Sequence, residues 1–226
     1  MTNSVSKLLA CTLAITGCKA PSIFGDIPQP VSVEVAFWGS VLEVGSVSRV
    51  CAFGMASWGL AVATHRVEAW SLSDPTLAQI EQMPDPADRF ACILLRPLHT
   101  GRLTVTATMA GVQGSNTVRL IPTVGTIVLT PADFVLRLGD TASVLPIVIA
   151  ANGDTLRDLP LEWRESDYGV VATVVFYGTG PATRSVVQAS AVGENTITAM
   201  VVTSRVDSAI NVKGHARVTV YPPAAP

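Results

Sequence analysis

Residues Glu162-Trp163-Arg164-Glu165-Ser166-Asp167 set three carboxylates, a guanidinium and a hydroxyl around one tryptophan. Paired carboxylates beside a serine are the raw material of general acid–base or nucleophilic chemistry, so the segment is a candidate active site. Histidine, the commonest general base, occurs only at His65, His99 and His215, none with a second His or a Cys at metal-ligand spacing. No G-x-S-x-G elbow, phosphate loop or H-E-x-x-H helix motif is present. Glu81, Asp85 and Asp88 could contribute to a calcium site, but the D-x-D-x-D-G spacing is missing and a solvated acidic loop accounts for them. No metal, cofactor or catalytic residue is therefore expected.

A self-comparison decides what the segment is for. Trp70-Ser71-Leu72-Ser73-Asp74 and Trp163-Arg164-Glu165-Ser166-Asp167 share the pattern W-x-x-S-D, 93 residues apart. Leu42-Glu43-Val44-Gly45 matches Leu136-Arg137-Leu138-Gly139 at a shift of 94, and Gly101 with Thr104–Ala107 matches Gly193 with Thr196–Ala199 at 92. Three matches in one order at nearly one offset mean two copies of a module. The first copy has Ala69 and Leu72 where the second has Glu162 and Glu165. What both keep is Trp, Ser and Asp. Strand alternation puts Leu161, Trp163 and Glu165 on one side and Glu162, Arg164 and Ser166 on the other. Trp70 and Trp163 are thus expected to mark the cores, and Ser-Asp to end the strand by bonding turn amides.

The 226-residue chain is 49% hydrophobic and 14% charged, with a net charge of −2 and no cluster of Lys or Arg. That balance supports a packed core and excludes a nucleic-acid surface. Valine dominates the apolar set, threonine is plentiful, and each copy offers seven short alternating runs between turn signals such as Asn152-Gly153. The expectation is all-β, with two antiparallel sandwiches joined near Pro122-Thr123-Val124-Gly125. So short a junction predicts a tandem rod with limited bending.

The order L-x-L/V-G, W-x-x-S-D, V-A-T-V, G-x-x-T-I-T-A resembles the bacterial immunoglobulin-like domain, group 2, of invasin-type adhesins. The second copy matches over 124–221, with Ala172-Thr173-Val174 after the Ser-Asp pair. The first, 31–121, is more divergent. The resemblance implies two tandem immunoglobulin-like β-sandwiches at 31–122 and 123–222, and says little about role.

Residues 1–17 have the form of a signal peptide, with Lys7 ahead of the short apolar run Leu8–Ile15. Ile15-Thr16-Gly17-Cys18 resembles a bacterial lipobox, which implies a diacylglycerol thioether on Cys18, cleavage before it and attachment to a membrane. An ordinary signal peptide with an incidental Cys is the other reading. Lys19 resembles outer-membrane sorting. Residues 18–30, rich in Pro, read as a tether, and 223–226 as a Pro/Ala tail. Cys51 and Cys92 remain. They either pair in an oxidising compartment, closing a loop of about 40 residues, or stay as buried thiols. Phe53, Met55 and Trp58 lie in a stretch without alternation, read as a loop that forms a contact patch for a protein, glycan or membrane. The opposing reading folds Trp58 back onto the first sandwich. The expected role is non-enzymatic: a lipid-anchored envelope protein for adhesion, glycan contact or protein interaction, or a spacer or accessory subunit of an envelope complex.

Overall fold

Alternating apolar and polar side chains on β-branched backbones make strands buried on one face, and every element among the described residues is a strand. A computed structural model describes residues 29–62, 66–83, 91–166, 172–175, 185–203 and 212–224. The first copy holds β1 (Ser32–Phe37), β2 (Val41–Glu43), β3 (Ser48–Met55), β4 (Ala61–Val62), β5 (Val67–Leu72), β6 (Ala78–Gln82), β7 (Ala91–Pro97), β8 (Gly101–Met109) and β9 (Val112–Ile121). The second holds β10 (Val124–Thr130), β11 (Asp133–Arg137), β12 (Thr141–Ala150), β13 (Thr155–Leu156), β14 (Leu161–Glu165), β15 (Ala172–Val175), β16 (Ser185–Ala189), β17 (Gly193–Val201) and β18 (Lys213–Tyr221).

In the first copy one sheet runs β1-β3-β7-β6 with β4 beside β3, and the other runs β2-β9-β8-β5. The second copy repeats this strand for strand, as β10-β12-β16-β15 with β13 beside β12, and β11-β18-β17-β14. The chain is all-β, two tandem immunoglobulin-like β-sandwiches. Val50, Ile93, Leu95, Leu103 and Val105 fill the first core. Val144, Trp163, Val187, Ile197 and Val218 fill the second. Each such side chain, fully buried, contributes about 1.5–3 kcal/mol.

Against the seven runs expected per copy, the described residues form nine strands in each. After β1 the chain bends at 38–40 and crosses to the opposite sheet, where β2 pairs in parallel with β9 (Val41↔Arg119, Glu43↔Ile121). β11 pairs in parallel with β18 in the same way. The sandwiches are antiparallel except at these two ladders. The L-x-L/V-G repeat is the turn that follows. Gly45 and Gly139 take φ of 81° and 93°, a region costly for any side chain, and their N–H groups donate to Pro97 O and Ala189 O.

The sheets close on one another where the first strand crosses the last. A Cβ on Gly114 would lie 1.8 Å from Val33 O, and one on Gly214 would lie 2.7 Å from Ile127 O. Only glycine lets these backbones meet. Asn116 Nδ2 donates to Val35 O at 2.8 Å across the same seam.

β9 ends at Ile121 and β10 starts at Val124, so Pro122 and Thr123 alone join the copies. Glu43, buried, accepts the Val124 N–H on Oε2 at 3.0 Å. Thr123 Oγ1 donates to Val44 O at 3.0 Å, and Arg119 Nη1 to Arg157 O and Asp158 O at 3.2 and 3.3 Å. Val41 forms a parallel bridge with Thr203, and Val41 and Ile121 are part of the second sandwich's core cluster.

Candidate contact surfaces

Among its described residues, the carboxylate-rich segment is tied into the fold. Trp163 is buried in the second core, while Trp70 is half-buried at the margin of the first. Arg164 Nε donates to Glu162 Oε1 at 2.8 Å on the outer face, where an exposed pair is worth little. Ser166 Oγ donates to the buried Asn195 Oδ1 at 2.6 Å and accepts the Thr196 N–H at 3.1 Å. Ser73 Oγ likewise accepts the Thr104 N–H at 3.0 Å. The conserved Ser of both copies therefore clamps the end of β14 or β5 to the neighbouring strand rather than bonding amides of its own turn, a correction to the expected role. The turn is capped by the acid: Asp74 Oδ1 accepts Thr76 Oγ1 and Thr76 N at 2.6 and 2.9 Å. The Thr76 hydroxyl, then its N–H, hold the Asp74 carboxyl below its ordinary range; slight desolvation opposes this and the His99 charge adds to it. Asp167, Asp85, Asp88 and His65 lie outside the described residues, as does Cys18. Among the described residues no three His, Cys, Asp or Glu come together as metal ligands, and no helix is long and apolar enough to cross a membrane.

Phe53 and Met55 are not loop residues. They belong to β3, whose partners are β1 and β7, with β4 beside Gly54 and Met55. Val50, Ala52 and Gly54 face the core, so Arg49, Cys51, Phe53 and Met55 share the outer face. Phe53 and Met55 are half-buried there. Trp58 sits on the hairpin Ala56–Leu60, closed by Ala56 N to Leu60 O and Gly59 N to Ala56 O, both 2.9 Å. It is 63% exposed and neighbouring Leu60 66%, so Trp58 does not fold back as a cap. The structure thus separates the three patch residues into a sheet face and a hairpin tip.

Cys51 and Cys92 face each other directly across β3 and β7, with Cα atoms 4.1 Å apart, and form a disulfide. It lies on the outer face of one sheet rather than between sheets. Arg49 Nη2 reaches Cys92 Sγ at 3.4 Å, and its guanidinium stands 5.7 Å from the ring centre of the exposed Trp38. The equivalent face of the second sandwich carries exposed Val128, Leu145 and Ile147. Sequence reasoning passed over these three; their signal is the unbroken apolar run "SVLPIVIA", where a strand solvated on one face should alternate. Two of the open grooves on the surface bear on contact. One of about 480 Å³ crosses the junction between Val44, His99, Pro122, Asn152 and Asp154. The other, about 450 Å³, lies between edge strands β5 and β6, lined by Trp70, Pro75, Gln79 and Glu81.

No protein-family model matches the chain, and no curated protein matches its sequence. Among solved structures, domains 4 and 5 of the S-layer protein SbsC align over 85% of this chain and 98% of their own, at 13% identity and a TM-score of 0.35. The Escherichia coli adhesin FdeC aligns over 82% of this chain and 62% of its own, at 14% identity and a TM-score of 0.34. For the Yersinia pseudotuberculosis adhesin InvE the values are 84%, 58%, 16% and 0.35. The chain therefore spans about three fifths of these two adhesin structures. Titin domains z1z2, from a complex with telethonin, align over 84% of this chain at a TM-score of 0.27. Likenesses at this level carry no argument about role.

Proposed function

We propose that the chain is a non-enzymatic protein of the bacterial envelope, anchored through a lipid on Cys18, that holds two immunoglobulin-like modules out as one stiff arm for contact with protein or glycan. The observation that carries this reading is the junction. A two-residue link, the Glu43–Val124 bond, the Arg119 contacts and the Val41–Thr203 bridge leave little freedom between the sandwiches. Freely jointed modules would need a longer, polar linker. Contacts with a partner fall to the outer sheet faces, the Trp58 hairpin and the edge groove at Trp70. The lipobox resemblance and the tether 18–30 supply the anchor; several acyl chains, at about 0.8 kcal/mol per buried methylene, hold a protein at a membrane almost permanently.

Two measurements test the reading. Labelled palmitate is expected to enter the chain and to be lost in Cys18→Ser; incorporation that survives the substitution rejects the anchor. Spin labels placed one on each sandwich are expected to report a narrow distance distribution, and a broad one rejects the stiff arm. The same junction serves a spacer or accessory subunit equally well. Recovery of a single stable envelope protein after crosslinking in cells would select that role.

A further inference from the structure

Because the sandwiches are copies, the junction between them records what one end of such a sandwich buries when another follows. The receiving end of the first copy includes Val41, Val44 and Ile121, with Val41 and Ile121 only 3% and 1% exposed. The equivalents on the second copy, β11 standing for β2 and β18 for β9, are Val135, Leu138 and Tyr221. The backbone is the same: Leu138 N donates to Tyr221 O, as Val44 N does to Ile121 O, each at 2.9 Å. The apolar character is also kept, but the cover is gone. Val135 is 65% exposed, Tyr221 53% and Leu138 40%, with exposed Val192 on the same end of the sandwich, just ahead of β17.

The opposite end tells the matching story. The second copy meets the first through buried Val124, and its hairpin Ala150–Asp154 stands across an open groove from Val44 and His99. Its equivalents on the first copy are Val31 and the hairpin Ala56–Leu60. The two hairpins share their bonds, Ala150 N to Asp154 O and Gly153 N to Ala150 O repeating those of Ala56, Leu60 and Gly59. Here Val31 is exposed, and Trp58 and Leu60 stand where the second copy has Asn152 and Asp154. Among the described residues, one receiving end and one entering end are thus left exposed.

We propose that copies of this protein associate head to tail, the Val135/Leu138/Tyr221 end of one taking the Val31/Trp58/Leu60 end of the next. The occupant is set by the internal junction, where the same receiving surface is filled by the entering end of an immunoglobulin-like sandwich. An intermolecular contact lacks the high effective concentration that the Pro122-Thr123 link provides. Trp58 and Leu60 in place of two polar residues add the apolar area that offsets this loss. Arg137 replaces Glu43 and offers no acceptor, but the Val31 N–H is already bonded to Met55 O at 2.8 Å and needs none. The two patches are different surfaces, so the contact does not close on itself and builds open chains. One sandwich end is a small interface, so each contact is weak in dilute solution.

The test uses the full-length protein with Val31→Cys and Leu138→Cys, treated with a short bis-maleimide over a concentration series. Cys51 and Cys92 are tied up in their disulfide, and Cys11→Ser and Cys18→Ser remove the remaining native thiols. The expected result is a ladder at multiples of the chain mass, lost on adding either Tyr221→Asp or Trp58→Ser. A mixture of the two disabled proteins is expected to stop at dimers, because each keeps one working end. Monomer alone, or a ladder indifferent to both substitutions, overturns the proposal. So does a chain that stays monomeric while Trp58→Ser abolishes its binding to phosphatidylglycerol vesicles, which would assign the hairpin tip to lipid.

Discussion

Glu43 shows how one residue can serve a junction rather than a module. Its counterpart in the repeat, Arg137, is exposed, whereas Glu43 is buried against the Val124 N–H. Removing the acceptor strands a buried donor, which costs about 1–3 kcal/mol. Glu43→Ala is therefore expected to lower stability by that amount in urea unfolding, and Glu43→Gln, which keeps an acceptor oxygen, by less. Asp74 gives a pH signature. Its folded pKa lies below the ordinary value of 3.8, so its contribution is complete above the unfolded pKa and is lost as pH falls through the folded one. The melting temperature of Asp74→Asn is thus expected to fall less steeply than that of the parent below about pH 4. The Trp, Ser and Asp of these turns were legible because both copies retain them while the glutamates come and go. The exact bond of Ser166 was not, since Asn195 and Thr196 lie a strand away and no local pattern announces them.

Strands are legible where one face is wet. β8 reads directly from "RLTVTATM" because its residues alternate between core and surface. β3 is legible only in part: "SRVCAFG" reads as a strand, but its outer face carries Cys51, Phe53 and Met55, the alternation fades, and the stretch from Phe53 on reads as a loop. β2 is three residues long and pairs with a strand near the far end of its module, beyond the reach of any periodicity. Gly114→Ala tests the seam between sheets. The added methyl would collide with a carbonyl oxygen rather than a flexible side chain, so the expected loss is about 3 kcal/mol or more, at the upper end for overpacking. The Cys51–Cys92 bridge spans 41 residues, and the loop-entropy model assigns it about 4 kcal/mol. Reduction is expected to lower the unfolding midpoint of the first sandwich and leave the second unchanged, as read by fluorescence of Trp70 and Trp163 separately in single-tryptophan proteins.

At the scale of the whole molecule, the duplication was the most legible feature, because three motifs recur in order at nearly one spacing. The junction was not legible beyond its shortness, since its contacts join positions such as Glu43 and Val124 that belong to different copies and obey no repeat. A further consequence concerns mechanical load. In each sandwich the second strand runs parallel to the last, β2 beside β9 and β11 beside β18. A pull on the two ends of a module slides these strands past one another, so their hydrogen bonds must fail together rather than one at a time. When the first module does give way, the bridge from Cys51 to Cys92 keeps 41 residues out of the extending chain, about 140 Å of contour. Single-molecule pulling is expected to show one short and one long extension step under oxidising conditions, and the short step to lengthen by about that amount on reduction. An arm built this way yields little length under strain at its N-terminal module, the one next to the proposed anchor.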